Sequence, residues 1–382
     1  VTPSEIQSLD RPALLPDISA DRLSLGYVPL TDSAPLLVAQ TLGLFTRHRV
    51  KVDLMRVGAW SALRDHIALG HLDGGQMLSP MPIAAMLGLS GLPTRLAAVA
   101  TLARHGNTIT FSEALIAEIA EAAPALASMR PLPATALAAA LAARRKAGRP
   151  RPTLAVVFAF SSHNYLLRHW LASGGIDPEQ DVHLVVVPPP LLPGELADGR
   201  IDGFCAGEPW GSRAVDLRLG RIALTTADIW PNHPEKLLTI STTRLARAPE
   251  EIEACIAAII EAGVWLSDPA NVAEAARIVH AQAMPDVPEQ VVALALGRRL
   301  VLAPDESPTP VPGLQFHPAA TCPHPEHGAW WARQMLRWGH IDTLPPDLIA
   351  EIWRPDIWQR AAVQAGVPAA IPASPPCPGD LA

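Results

Sequence analysis

With 382 residues, 49% of them hydrophobic and 18% charged, the chain has the composition of a globular protein with room for two lobes, each able to bury a core. A formal net charge of −7 argues against a general nucleic-acid surface. No apolar run approaches the roughly 18 residues that a membrane helix requires, so an anionic ligand would need a local positive site instead.

Val1 to Asp21 is polar and proline-bearing, without the charged start, apolar core and small-residue cleavage site of a secretory signal, and reads with Arg22 as a loose leader over residues 1–22. Leu23 to Val28 reads as a strand, Ala34 to Gly43 as a helix closed by its glycine, and Val50 to Arg56 as a second strand. Ser61 to Leu69 follows as a helix that Ser61 can cap, which makes a βαβ unit and a parallel sheet. Trp60, in the turn before that helix, lies at the carboxyl edge of the sheet. A packing role is the plainer reading, although its indole N–H can donate to an anion. The double glycine in Leu72-Asp-Gly-Gly-Gln-Met lets backbone approach something closely, and Pro82 opens the next helix. Leu96 to Leu102 is apolar, and Arg104 to Thr110 makes the first crossing between lobes.

Glu113 to Ala143 is alanine-rich and helical in period, broken by Pro124, Pro131 and Pro133, and the basic run Arg144 to Arg151 reads as a solvated loop. Thr153 to Phe160 is a strand, and Ser161-Ser-His-Asn opens an amphipathic helix that places His163 near its N-terminus, facing the carboxyl edge. After the strand Val182 to Val187, Ile201-Asp-Gly-Phe repeats the pattern of Leu72-Asp-Gly-Gly, which implies two similar lobes. Trp230-Pro-Asn-His-Pro-Glu-Lys236 is a stiff polar loop between two β-like runs, and Lys236 sits at the start of the second. The plainer reading of Lys236 is an exposed surface lysine. Pro249 to Leu266 is an amphipathic helix, and the C-terminal third is helical, with tryptophans at 330, 331 and 338 and a proline-rich tail. Cys322-Pro-His-Pro-Glu-His327 groups thiol and imidazole without a second ligand pair at finger-like spacing, and Cys205, Cys255, Cys322 and Cys377 form no redox motif.

Gly58-Ala-Trp-Ser61, Asp73-Gly-Gly-Gln-Met-Leu-Ser-Pro-Met-Pro82, His105-Gly-Asn-Thr-Ile-Thr110, His163 followed by Leu171 to Pro178, Gly207-Glu-Pro-Trp210 and His233-Pro-Glu-Lys236 together resemble, in order, the nitrate/nitrite-binding family of substrate-binding proteins. The resemblance implies a type II periplasmic-binding-protein fold, two α/β lobes closing on ligand at the hinge, with extra C-terminal helices. It places lobe 1 at residues 23–108 and 237–365, lobe 2 at 109–236, and a proline-rich tail at 366–382. The family's anion-contacting Trp, His and Lys match Trp60, His163 and Lys236, and Gly207 lines the same cleft. Asn107 stands where the family commonly has Gln, one methylene shorter.

The resemblance has two branches. One comprises lipid-anchored receptors of ABC transporters for nitrate or bicarbonate. The other is the cytoplasmic NasS-type sensor, which releases an RNA-binding antiterminator when nitrate or nitrite binds. Four unpaired thiols and the absence of a signal or lipidated Cys in Val1 to Asp21 favour the cytoplasmic sensor, with a partner surface across both lobes and Arg144 to Arg151 as a secondary candidate. No cofactor, metal or catalysis is expected. The competing enzyme class, similar to the thiamine-precursor synthases, would use Cys205, for which no base stands nearby in sequence. Nitrate accepts hydrogen bonds and donates none, so Lys, His, indole and amide donors suit it, whereas bicarbonate would also want an acceptor or a metal.

Overall fold

A computed structural model describes residues 22–89 and 91–379; the expected leader therefore lies almost wholly outside the described residues. Ten strands form two five-stranded sheets: β1 (Leu23–Tyr27), β2 (Val52–Arg56), β3 (Gly74–Leu78), β4 (Leu96–Arg104), β5 (Asn107–Ser112), β6 (Thr153–Val156), β7 (His183–Val186), β8 (Gly203–Gly207), β9 (Gly220–Thr225) and β10 (Pro234–Ser241). Their orders are β2-β1-β3-β10-β4 and β7-β6-β8-β5-β9. Each sheet is one plan: a parallel trio from a βαβ run, then an antiparallel strand delivered by the chain crossing from the other lobe. This is the two-lobe α/β architecture expected.

The inner strands β1, β3, β6 and β8 are largely buried because both faces are covered, whereas the edge strands β2 and β7 are partly exposed. The helix Pro249–Leu266 buries Ile252, Cys255, Ile256, Ile259 and Ile260 in the core under the first sheet, and Phe111, Leu137, Leu167 and Leu171 centre the core of the second. The double glycine does serve close approach, to neighbouring backbone: a Cβ on Gly74 would lie 2.1 Å from the Thr239 carbonyl oxygen, and one on Gly75 2.3 Å from that of Gly26.

Two crossings join the lobes, and they are bonded to each other. His105 and Gly106 turn the first with φ of 61° and 94°. His105 donates its backbone N–H to the His233 carbonyl at 3.2 Å, and the Asn232 N–H donates to His105 Nε2 at 2.5 Å. The second crossing ends in β10, which pairs with β3 and β4, so Lys236 is carried by a strand of the first sheet. The sequence reading had set it at the end of the second lobe.

Three local expectations shift. The strand from Thr153 stops at Val156, because Phe158 and Phe160 leave the sheet to pack together at 6.2 Å. The helix after β2 begins at Trp60, with Ala59 in the cap position and no side-chain cap, so Ser61 lies inside it. The proline-rich tail folds back on the aromatic cluster: Trp230 Nε1 donates to the Pro376 carbonyl at 2.9 Å and Trp330 Nε1 to that of Pro378 at 3.0 Å. The basic run is not wholly a loop, since Arg144, Arg145 and Lys146 end the helix Ala134–Lys146, and two carboxylates pair three of its cations, Arg144 and Arg149 on Glu118 and Arg145 on Asp181.

Candidate functional site

Lys236 is 0% exposed, which overturns the surface reading. A lysine at this depth needs partners, because an isolated charge cannot leave water without neutralising. Its Nζ donates to Glu235 Oε1 at 2.6 Å and stands 2.8 Å from Asp32 Oδ2. The two carboxylates outweigh burial and raise its pKa. Two of three N–H groups are thus committed, and the ammonium lies 5.6 Å from the centre of the Trp60 ring.

The carboxylates are held differently. Glu235 Oε1 also accepts the Ser162 hydroxyl at 2.6 Å, and His163 Nε2 and His233 Nδ1 stand 3.6 Å from its two oxygens. Burial works against its charge, but Lys236, His163 and His233 outweigh burial and hold its pKa at about 2. Asp32 has less help: Gln76 Nε2 donates to its Oδ1 at 2.5 Å, while Gln76 Oε1 accepts the Val28 N–H at 2.9 Å. Burial beats Lys236 there and pushes Asp32 up to about 6. Burial likewise takes His163 down to about 3 and His233 to about 4, so both are neutral imidazoles near pH 7.

The five residues singled out in the sequence meet around this ion cluster. Trp60 opens its helix, and His163 is the second residue of the helix Ser162–Ser173, whose start is fixed by the Ser161 hydroxyl accepting the Asn164 N–H at 3.0 Å. Asn107 opens β5 and faces Gly207, the last residue of β8, across the ladder. A Cβ on Gly207 would stand 3.1 Å from Leu30 Cδ2, 3.4 Å from Asn107 Oδ1 and 3.5 Å from Asp32 Oδ2. That glycine keeps open a small space bordered by both lobes. Trp60, Asn107, His163 and Lys236 are each at most 1% exposed, and among the described residues Trp60 Nε1, Asn107 Nδ2 and both His163 ring nitrogens have no hydrogen-bond partner. Orphaned buried polar atoms on this scale are uncommon, and here they gather beside one cation, with the acceptors Asn107 Oδ1, Glu235 Oε2 and the Lys236-paired Asp32 Oδ2 among them. A surface hollow of about 330 Å³ beside Ser212, Arg218 and Val291 is lined by other residues.

Closure itself is bonded across the lobes, since the Thr31 N–H and hydroxyl both donate to the Glu208 carbonyl at 2.9 Å. Sequence reading missed Asp32, Gln76, Ser162, His233 and Glu235 as members of the cluster. Glu235 had one signal, adjacency to Lys236; Asp32 had none, because only the fold brings residue 32 to residue 236.

Cys205 lies in β8 with no exposure, and burial and then Glu235 push its thiol well above the usual range, so it is not an activated nucleophile. Among the described residues no group of three His, Cys, Asp or Glu side chains is arranged to hold a metal ion; the rings of His324 and His327 pack against each other at 5.2 Å.

Residues 18–280 match the model of the NMT1-like family. The chain is 34% identical over 355 residues to the nitrate import ATP-binding protein NrtC of Synechocystis, covering 91% of this chain and 50% of that protein, so it spans about half the length of that relative. It is 31% identical to the nitrate/nitrite binding protein NrtA of Synechococcus elongatus, over 92% of this chain and 80% of the relative. The bicarbonate-binding protein CmpA of the same organism is 29% identical over 93% and 80%. The crystal structure of the periplasmic nitrate-binding protein NrtA from Synechocystis superposes with a TM-score of 0.82 at 26% identity, covering 94% of this chain and 92% of that one.

Proposed function

This chain belongs to the NMT1-like family and to its nitrate/nitrite-binding substrate-binding proteins, and from that premise we propose that it is the binding component of an ABC-type import system, holding nitrate or nitrite between its lobes. The observation that carries the ligand is the set of partnerless donors, Trp60 Nε1, Asn107 Nδ2 and His163, around the free N–H of Lys236. Each oxygen of a planar monoanion would find a donor there. A charge-assisted bond contributes roughly 1.5 to 3 kcal/mol, so a few of them less ordering costs are compatible with about micromolar binding.

The import reading replaces the sensor expected from the sequence. Relatives over nearly the whole chain are named as nitrate- or bicarbonate-binding and import components, and none of those reported is named as a sensor or antiterminator partner. The thiol argument for the cytoplasm also weakens, because Cys205, Cys255 and Cys322 are buried, and a buried thiol stays reduced by inaccessibility in either compartment. A periplasmic location goes with the import reading.

Bicarbonate is the second reading, favoured by the buried acceptors Glu235 Oε2, Asp32 Oδ2 and Asn107 Oδ1, which have no hydrogen-bond partner among the described residues and one of which the O–H of bicarbonate would satisfy. Titration calorimetry with nitrate, nitrite, bicarbonate and sulfate separates the two. Nitrate or nitrite should bind at about micromolar strength and bicarbonate far more weakly; equal affinity for bicarbonate, or no heat with nitrate and nitrite, would overturn the assignment.

A further inference from the structure

The charge count of the site raises a difficulty for any anion. Lys236 supplies one positive charge and Asp32 and Glu235 two negative ones, all three side chains at most 1% exposed. A monoanion added to this cluster would be the third negative charge beside a single cation, with no water to screen it. Either the anion stays out or one carboxylate gives up its charge. Glu235 is the poor candidate, since it is held by Lys236, the Ser162 hydroxyl and two imidazoles. Asp32 is the good one: its Oδ1 is bonded to Gln76, while its Oδ2 borders the space that Gly207 keeps open, near Asn107.

We propose that Asp32 is a specificity-determining residue of the cleft, accepting a proton from solvent as the anion binds and turning from a competing acceptor into a donor to it. The inference rests on the anion-binding reading above. The balance is one anion and one proton in: an O–H bond forms at Asp32 Oδ2, the Asp32–Lys236 ion pair is exchanged for one between Lys236 and the ligand, and no bond of the anion breaks. Neutralised, Asp32 leaves Lys236 and Glu235 to cancel, and the site accepts one negative charge. Sulfate or another dianion would need a second proton that Glu235 does not take. Bicarbonate brings a hydrogen that ionised Asp32 could accept, but it would still be the third negative charge beside Lys236, which is why it should bind far more weakly.

The groups facing Asp32 are Lys236 and Glu235 of β10, Gln76 of β3, and Asn107 and Gly207 on the second sheet. The Glu208 carboxylate is turned away, to the Thr108 hydroxyl and the Ser212 N–H. His163 and His233 face Glu235 rather than Asp32. Burial already lifts Asp32 to about 6, so its proton is the one that physiological pH can supply.

Calorimetry of the full chain with nitrate at pH 7.5, in phosphate and in Tris, tests this, because the two buffers differ in ionisation enthalpy. The expected result is a heat that depends on buffer and corresponds to nearly one proton taken up per nitrate, with affinity falling close to tenfold per pH unit above about pH 7. The infrared difference spectrum of the wild-type protein should gain a protonated-carboxyl band on nitrate addition, a readout that needs no variant. Asp32→Asn should bind nitrate with a flat pH profile and no uptake. Nitrate binding with a buffer-independent heat and no new carboxyl band would overturn this inference and leave the binding assignment standing. Absence of nitrate binding at any pH would remove both.

Discussion

In the first sheet Asp73 Oδ2 accepts the backbone N–H of Ser24 at 2.8 Å, and in the second Asp202 Oδ2 accepts that of Thr153 at the same distance, with 49 residues between the partners in both. The same turn, Asp then Gly, feeds the third strand of each trio, where backbone packs too closely for a side chain. The lobes are alike in scaffold and unlike in what they deliver. Lobe 1 brings the charges, Asp32, Glu235 and Lys236, with Gln76 and the Trp60 indole. Lobe 2 brings neutral groups, Asn107, Ser162, His163 and the bare backbone of Gly207. From the second lobe Ser162 Oγ hydrogen-bonds Glu235, His163 stands beside it, and Asn107 and Gly207 border Asp32, so the second lobe adds polar contacts to a charge balance set in the first. Affinity that needs both lobes is what couples ligand to closure, since a ligand can bias a conformational equilibrium only by binding one form better.

Breaking the charged half should have the largest effect. Lys236→Ala leaves two buried carboxylates facing each other without their cation, which costs about 3 to 5 kcal/mol when one partner of a buried pair is removed. Nitrate binding should be lost and urea unfolding should shift by that amount; a variant as stable as wild type would mean that Asp32 and Glu235 are hydrated in solution.

A pH series on the ligand-free protein sharpens the contrast between the two carboxylates. Asp32 is raised from 3.8 to about 6, so the stability it contributes is fully present below 3.8 and is lost as pH rises through 6, about 3 kcal/mol in all. Glu235 is lowered from 4.5 to about 2, so its contribution is present above 4.5 and is lost as pH falls through 2. The depressed His163 and His233 add stability to both proteins as pH rises over the same range, so the contrast lies in the difference: relative to Asp32→Asn, wild-type stability in urea unfolding should decline by about 3 kcal/mol between pH 4 and pH 7. A wild-type-minus-variant difference that rises over that window would reverse the assignment.

The smallest effect belongs to a single neutral donor. Trp60→Phe keeps an aromatic ring beside Lys236 and removes the partnerless N–H together with part of the indole, so nitrate affinity should fall about tenfold, close to 1.4 kcal/mol, with a modest drop in melting temperature from the cavity left in the core. An unaltered Kd by calorimetry would place the indole N–H outside the ligand's reach.

Sequence alone carried the plan of the molecule. Period, proline and glycine marked most strands and helices, because those signals are local: Gly43 and Gly175 turn the backbone into the left-handed region after their helices, and the two Asp-Gly turns announce the repeat. It also put Trp60, Asn107, His163, Gly207 and Lys236 at strand and helix ends that a two-lobe sheet gathers at one edge. Burial was not legible. Lys236 reads as a surface residue in its loop and is interior because β10 is central in its sheet, flanked by β3 and β4. The tail reads only as proline-rich, and its carbonyls at Pro376 and Pro378 satisfy two buried indoles. Least visible was the pairing of Asp32 with Lys236. A short polar segment after the first strand says nothing about residue 236, and the partner of a buried charge is chosen by which strands lie side by side, a long-range property that only the folded chain possesses.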